Sequence, residues 1–260
     1  MSLTERPASH VATRTVLDVV PGVHLITHGH TNCYVVEDDD GVTLVDAGFP
    51  RTWALVRRCL GARGRSASEI KGLVITHGHF DHLGFASRLQ RSYGVPVWAA
   101  AADEHILRHP YRYHPARPRF AYPLTHPRAL PVLASMTRAG ALGVPGLVAD
   151  HLVTGRVVLD LPGRPELVPT PGHTDGEYVV HLPDHDAVIT GDALVTLDPY
   201  TGRRGPRVVA RAATNDARVA IDSLSSIAAL DVTTVLPGHG EPWTQGTRTA
   251  VDLARAAGVA

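Results

Sequence analysis

The stretch Thr76-His77-Gly78-His79-Phe80-Asp81-His82 packs four potential metal ligands into six positions. Imidazole and carboxylate are, with thiolate, the donors that divalent zinc accepts. The run follows Leu73-Val74-Ile75-Thr76, which reads as a short buried strand. His77 and His79 lie two apart, so an extended chain projects both rings to the same side. Gly78 between them allows a tight backbone path. A lone histidine is ordinarily a surface or core residue. Four donors at one strand end point instead to a metal site.

The 260 residues suffice for a substantial core, and the chain is expected to form a single domain over residues 1–260. Hydrophobic content of 44% and charged content of 19% are ordinary for a globular protein. The formal net charge is zero and the pI is about 7.3, so no global field favours a polyanion and no nucleic-acid partner is expected. Histidine stands out, with 16 residues. The two cysteines, Cys33 and Cys59, supply no disulfide framework. The first ten residues are polar, no signal-peptide core follows, and no run approaches a membrane span. A cytoplasmic enzyme without membrane contact is the expectation.

Outward from the histidine run, short apolar segments at residues 16–20, 23–27, 33–37 and 42–45 suggest a β-meander, with Asp38-Asp39-Asp40-Gly41 as a turn. Helical texture appears at 51–60 and 83–92, and a strand at 95–99. Strands return at 157–161, 166–168, 178–182 and 187–190. Ala217, Ala220, Ile221, Leu224 and Ala228 share one helical face behind the cap Thr214-Asn215-Asp216. A strand at 232–236 and a helix at 247–257 end the pattern. Both halves run strands first and helices after, which predicts a sandwich with helices outside.

Four further polar positions repeat the context of the histidine run. Asp46, His173, Asp192 and His239 each follow an apolar strand, and most have a glycine neighbour. Loops sharing one edge of a sandwich would bring all five places together, and sites on strand-end loops of a rigid scaffold are common.

This set resembles the metallo-β-lactamase fold superfamily, whose signature is an aspartate, then H-x-H-x-D-H, then a separate His, Asp and His. The matching residues are Asp46; His77, His79, Asp81 and His82; His173; Asp192; and His239. The resemblance implies an α/β fold, a four-layer αββα sandwich of two mixed sheets flanked by helices. It further implies that His77, His79 and His173 hold one metal and that Asp81, His82 and His239 hold the second. Asp192 would bridge them, and Asp46 would support the site by hydrogen bonding without being a ligand. Two Zn2+ per chain are expected, with iron or manganese as other ions such donors accept. A metal-activated hydroxide then attacks the substrate, and Asp81 is the expected catalytic residue, orienting the nucleophile or handling its proton.

The expected reaction is hydrolysis of a small ester, lactone or thioester. Asp192 argues against a specialist β-lactam hydrolase, because such enzymes generally lack that bridging aspartate. Glyoxalase-type thioesterases carry a histidine where this chain has Glu177 after Thr174-Asp175-Gly176, which argues against glutathione thioesters. A mononuclear iron persulfide dioxygenase and a β-lactam hydrolase are the alternative readings, and His79 contradicts the flavodiiron pattern.

Residues 105–150 read as an inserted, lid-like segment, rich in proline. Residues 105–149 hold no Asp or Glu but carry Arg108, Arg112, Arg117, Arg119, Arg128 and Arg138. Arg112, Arg117 and Arg119 are candidate contacts for a small, anionic acyl substrate. Tyr111, Tyr113, Tyr122, Tyr178 and Tyr200 are candidate phenols for a developing oxyanion, with Tyr200 carried forward as a substrate contact. His105, His109, His114 and His126 read as ordinary polar residues. The oligomeric state is open, a homodimer among the options.

Overall fold

The computed structural model describes residues 12–112 and 125–260. Its first sheet has seven strands in chain order: β1 (Thr13–Val20), β2 (Val23–His28), β3 (Thr31–Asp38), β4 (Gly41–Val45), β5 (Ile70–Val74), β6 (Val97–Ala100) and β7 (His151–Val153). The first four strands pair antiparallel, and β4 to β7 pair parallel. The second sheet comprises β8 (Val157–Val158), β9 (Glu166–Pro169), β10 (Tyr178–Leu182), β11 (Ala187–Gly191) and β14 (Thr234–Pro237), in the order β14-β11-β10-β9-β8. Its one parallel pair is β11 with β14. A hairpin of β12 (Val195–Leu197) and β13 (Arg204–Arg207) stands apart.

Side-chain alternation sorts the strands into layers. Leu25, Tyr34, Val36, Val45 and Val74 point from the first sheet into a core shared with Leu167, Val180, Ile189 and Leu236 of the second. Their neighbours Ile26, Cys33, Val35, Leu44 and Leu73 face the other way, against α1 (Trp53–Ala62) and α3 (Ala86–Tyr93). Val168, Val179, Val188 and Val235 do the same on the outer side of the second sheet, under α6 (Ala217–Ala228) and α7 (Thr247–Ala257). Both faces of each sheet are covered, so the strands read as nearly continuous apolar runs. The result is the expected αββα sandwich.

Three local expectations needed revision. The helix expected over 83–92 is split into α2 (Phe80–Leu83) and α3. At the break, Gly84 N–H donates to Gly48 O at 2.7 Å and Phe85 N–H to Ala47 O at 3.2 Å, so the loop after β4 replaces the helical partners. A Cβ at Gly84 would overlap the Phe49 backbone. The strand expected at 157–161 ends at Val158, because Leu159 and Leu161 turn into the inter-sheet core. β7, β12 and β13 were not anticipated; each has only three or four residues.

Between β6 and β7 lie α4 (Glu104–Arg108) and α5 (Leu130–Ala139). Val132, Met136 and Ala139 of α5 pack on Phe49. Among the described residues no helix is long and apolar enough to cross a membrane.

Candidate metal centre

Parallel pairing explains why the polar residues meet. β4 and β5 run side by side with Val45 opposite Val74, so Asp46 and the His77 loop leave the same edge together. β11 and β14 repeat this with Gly191 opposite Pro237, so Asp192 and His239 emerge as neighbours. Cross-sheet hydrogen bonds then fix one pair against the other. Asn32 Nδ2 donates to Pro237 O at 2.8 Å and to Gly240 O at 2.9 Å, and Tyr34 OH donates to Pro237 O at 2.7 Å. Tyr178 N–H donates to Thr76 O at 2.9 Å, tying β10 to the histidine loop.

All seven expected ligands converge, and all are buried. His77, His79 and His173 form one group, with His79 Nδ1 and His173 Nε2 2.9 Å apart. Nitrogens of a tetrahedral zinc, at bond lengths of 2.0–2.1 Å, would stand about 3.3 Å apart. Asp81, His82 and His239 form a second group, with Asp81 Oδ2 3.3 Å from His239 Nε2 and 3.9 Å from His82 Nε2. Asp192 lies between them. Its Oδ1 is 3.6 Å from His82 Nε2, and its Oδ2 is 3.6 Å from His173 Nε2 and 3.2 Å from His239 Nε2.

The outward ring nitrogens are occupied. His82 Nδ1 donates to Asp46 Oδ2 at 2.8 Å, and His239 Nδ1 donates to His30 O at 2.9 Å. His173 Nδ1 lies 3.4 Å from Thr214 Oγ1, and His77 Nδ1 lies 3.1 Å from Thr76 Oγ1. Asp46 also accepts from Thr76 N–H at 2.9 Å and from its hydroxyl, and adopts a left-handed φ of 63° to do so. Its carboxylate backs the His82 ring on the Nδ1 side. The inward atoms present the opposite picture. Nε2 of His77, His82 and His239 and Oδ1 of Asp192 are buried with no hydrogen-bond partner among the described residues. Buried polar atoms are nearly always bonded, so four such atoms around one space fit a cation.

Electrostatics separates the halves. Burial, then the neighbouring imidazoles, hold His77 well below its ordinary value, and burial brings His173 down to about 4. Burial likewise opposes charge on His82, but Asp46, Asp192 and Asp81 outweigh it and push the ring up to about 9. His239 is raised well above its ordinary value by Asp192 and Asp81, again against burial. One half therefore offers neutral lone pairs, and the other draws in positive charge.

Two buried carboxyls in the frame were missed by the sequence reading. Asp103 accepts Gly78 N–H at 2.9 Å, Thr174 Oγ1–H at 2.8 Å and Gly176 N–H at 2.8 Å, linking the two histidine loops. Burial raises its carboxyl despite those bonds. Glu177 accepts from Asp192 N–H at 2.9 Å and Ala193 N–H at 3.2 Å. Glu177 follows the His173 motif closely, whereas Asp103 adjoins no ligand motif. Gly78 is required for a different reason than expected. Its φ is not left-handed, but a Cβ there would stand 2.5 Å from Ile106 Cγ1.

A narrow cleft opens over the donors, lined at the centre by His79, Asp81, Asp192 and His239. Phe80, Leu133, Met136, Pro199, Tyr200 and Ala213 form the walls. Leu133 and Met136 come from α5. Arg112 is exposed and does not line the cleft; the adjacent Tyr111 ring, also exposed, stacks on Phe80 at 5.4 Å. Tyr111 OH is committed to Ala141 O and Val144 N–H, and Tyr178 OH to Gly155 O, so neither phenol is a site group. Tyr200 is the candidate phenol that lines the cleft. Arg117, Arg119, Tyr113, Tyr122 and His114 lie outside the described residues.

The sequence profile of the metallo-beta-lactamase superfamily matches residues 26–239. The chain belongs to that superfamily, and with its donor set intact it is a metal-dependent hydrolase. It is similar to the probable metallo-hydrolase YflN of Bacillus subtilis (strain 168), 26% identical over 256 residues, covering 94% of this chain and 93% of that protein. A shorter likeness, 28% over 144 residues, links 55% of this chain to 40% of the hydroxyacylglutathione hydrolase of Jannaschia sp. (strain CCS1). The crystal structure of the metallo-beta-lactamase family protein TTHA1429 from Thermus thermophilus shares the fold, with a TM-score of 0.65 at 21% identity over 92% of this chain and 79% of that one.

Proposed function

We propose that the chain is a dinuclear, zinc-dependent hydrolase of a small ester, lactone or thioester. The observation carrying this reading is the Asp192 carboxylate, whose two oxygens face both donor groups at once. His77, His79 and His173 would hold one ion, and Asp81, His82 and His239 the other, with Asp192 shared. Structural zinc sites tend to be closed and cysteine-rich, whereas this set has no thiolate and borders a cleft. Bound there, a metal pair would acidify a water towards neutral pH and polarise a carbonyl oxygen.

The chain's own groups do the rest. Thr31 Oγ1 donates to Asp81 Oδ2 at 3.5 Å, steadying a carboxylate at the cleft base that can orient the attacking water and take its proton. Phe80, Leu133 and Met136 exclude solvent and suit a short apolar acyl portion. Tyr200 brings a phenol to hydrogen-bond the carbonyl oxygen. The partial likeness to a hydroxyacylglutathione hydrolase supports including thioesters.

The test combines metal analysis of protein purified without added metal with a screen of acyl thioesters, lactones, esters and β-lactams. The expected result is about two zinc per chain and acyl hydrolysis that Asp81→Asn abolishes. About one iron per chain with oxidation of a persulfide would replace this reading with a dioxygenase. Preference for β-lactams would make it an antibiotic hydrolase. No turnover with both ions bound would leave a binding module.

A further inference from the structure

Glu177 is a buried carboxyl that the ligand motif does not include. It directly precedes β10, and its side chain is fully buried between the two halves of the centre. Oε1 accepts the N–H groups of Asp192 and Ala193 at 2.9 and 3.2 Å. Oε2 lies 3.4 Å from His77 Nδ1 and has no hydrogen-bond partner among the described residues. The left-handed Gly191 permits this approach, since a Cβ there would stand 2.6 Å from Glu177 Oε1 and 2.7 Å from Thr76 Oγ1.

The placement parallels that of Asp46. Asp46 stands behind Nδ1 of His82, and Glu177 stands behind Nδ1 of His77. The His77, His79 and His173 group has no carboxylate within it, whereas the other group contains Asp81. Thr76 completes the arrangement: its hydroxyl donates to Asp46, leaving a lone pair towards His77 Nδ1 at 3.1 Å. Two oxygens therefore face Nδ1, an arrangement that suits a proton there and a lone pair on Nε2 directed to the centre.

We propose that Glu177 is a positioning residue for the three-histidine half. One oxygen holds His77 in the Nδ1–H tautomer with Nε2 directed inward, and the other sets the turn that presents Asp192. The proposal rests on reading the centre as a metal site. Carboxylates hydrogen-bonded to metal-ligating imidazoles orient the ring and raise its basicity.

Glu177→Gln tests it in the full-length protein. The glutamine keeps the shape and can still accept from Asp192 and Ala193, but then turns an N–H2 towards Nδ1 and favours the wrong tautomer. Zinc affinities measured by chelator competition should fall roughly 10–100-fold for one ion, with little change for the second. Unchanged affinity for both ions, whatever happens to the melting temperature, would reduce Glu177 to a packing role and overturn the proposal. Nitrogen NMR of metal-free wild-type protein gives a second readout that needs no variant. His77 should carry its proton on Nδ1, and an Nε2–H form would equally overturn the proposal. Wild-type protein that binds no zinc would defeat the metal reading itself, while the tautomer measurement still judges Glu177.

Discussion

Stripping the centre with a chelator and scanning pH should expose a stability maximum near pH 6.5. The two halves titrate in opposite senses. His173 has a folded value of about 4, below the ordinary 6.5, and burial lowers His77 and His79 as well. An unfolded chain takes up those protons near 6.5 while the folded one refuses them, so stability falls as pH drops from 6.5 towards 4. His82 runs the other way. Its folded value of about 9 lies above 6.5, so its contribution is complete below pH 6.5 and is lost as pH rises through 9. Either interval, 4 to 6.5 or 6.5 to 9, corresponds to roughly 3 kcal/mol at 1.36 kcal/mol per pH unit. Total stabilities are about 5–15 kcal/mol, so both limbs should be measurable.

Urea denaturation followed by tryptophan fluorescence, with chelator present throughout, is the assay. Asp46→Asn removes the first carboxylate that raises His82, so its alkaline limb should be smaller and end nearer 6.5. Zinc should reverse that limb, because a cation at Nε2 displaces the proton and binds more tightly as pH rises. Stability of the stripped protein that stays level or increases between pH 6.5 and 9 would refute the reasoning.

Asp103→Ala strands two backbone N–H groups and a hydroxyl in the frame, and should cost about 3 kcal/mol or more in urea denaturation. Met136→Ala should cost roughly 2–5 kcal/mol and enlarge the cleft, seen as a higher ratio of kcat/KM for long over short acyl chains. Gly84→Ala should yield no soluble protein, since its Cβ meets backbone that cannot withdraw. Gly61→Ala, on α1 with open space around it, should instead stabilise by about 0.5–1 kcal/mol in the same expression and melting comparison.

The clustering of candidate donors was legible because each sits in a loop or short helix that follows an apolar strand, a local pattern that sequence preserves. The layers were legible for a similar reason: runs such as Leu44-Val45 and Leu73-Val74 are apolar at both parities, as strands covered on two faces must be. What sequence did not carry is long-range. Asp103 acts on Gly176, 73 residues away, and Glu177 acts on Asp192, 15 residues away; nothing adjacent to either announces a partner. The α2–α3 break was hidden because its cause is the backbone of Gly48 and Phe49, on another loop.

The same long-range bonds explain how so many ionisable groups can share one buried space. Seven donors without a cation bring like charges and orphaned atoms together, which disfavours folding. The frame opposes this at points remote from the donors themselves. Asn32 and Tyr34 lock Pro237 and Gly240, Asp103 locks Gly78 to Gly176, and Asp46 locks Thr76 and His82. These bonds tie the donor-bearing segments to strands and to one another, so outward relaxation of His77, His82 or His239 is opposed by buried hydrogen bonds. Strain such as the left-handed Asp46 persists only where its surroundings over-determine it, and three hydrogen bonds do so here. The donors are therefore held near ligand spacing by the fold rather than gathered by the ion, and cation binding returns as stability the free energy that folding spends on holding them together.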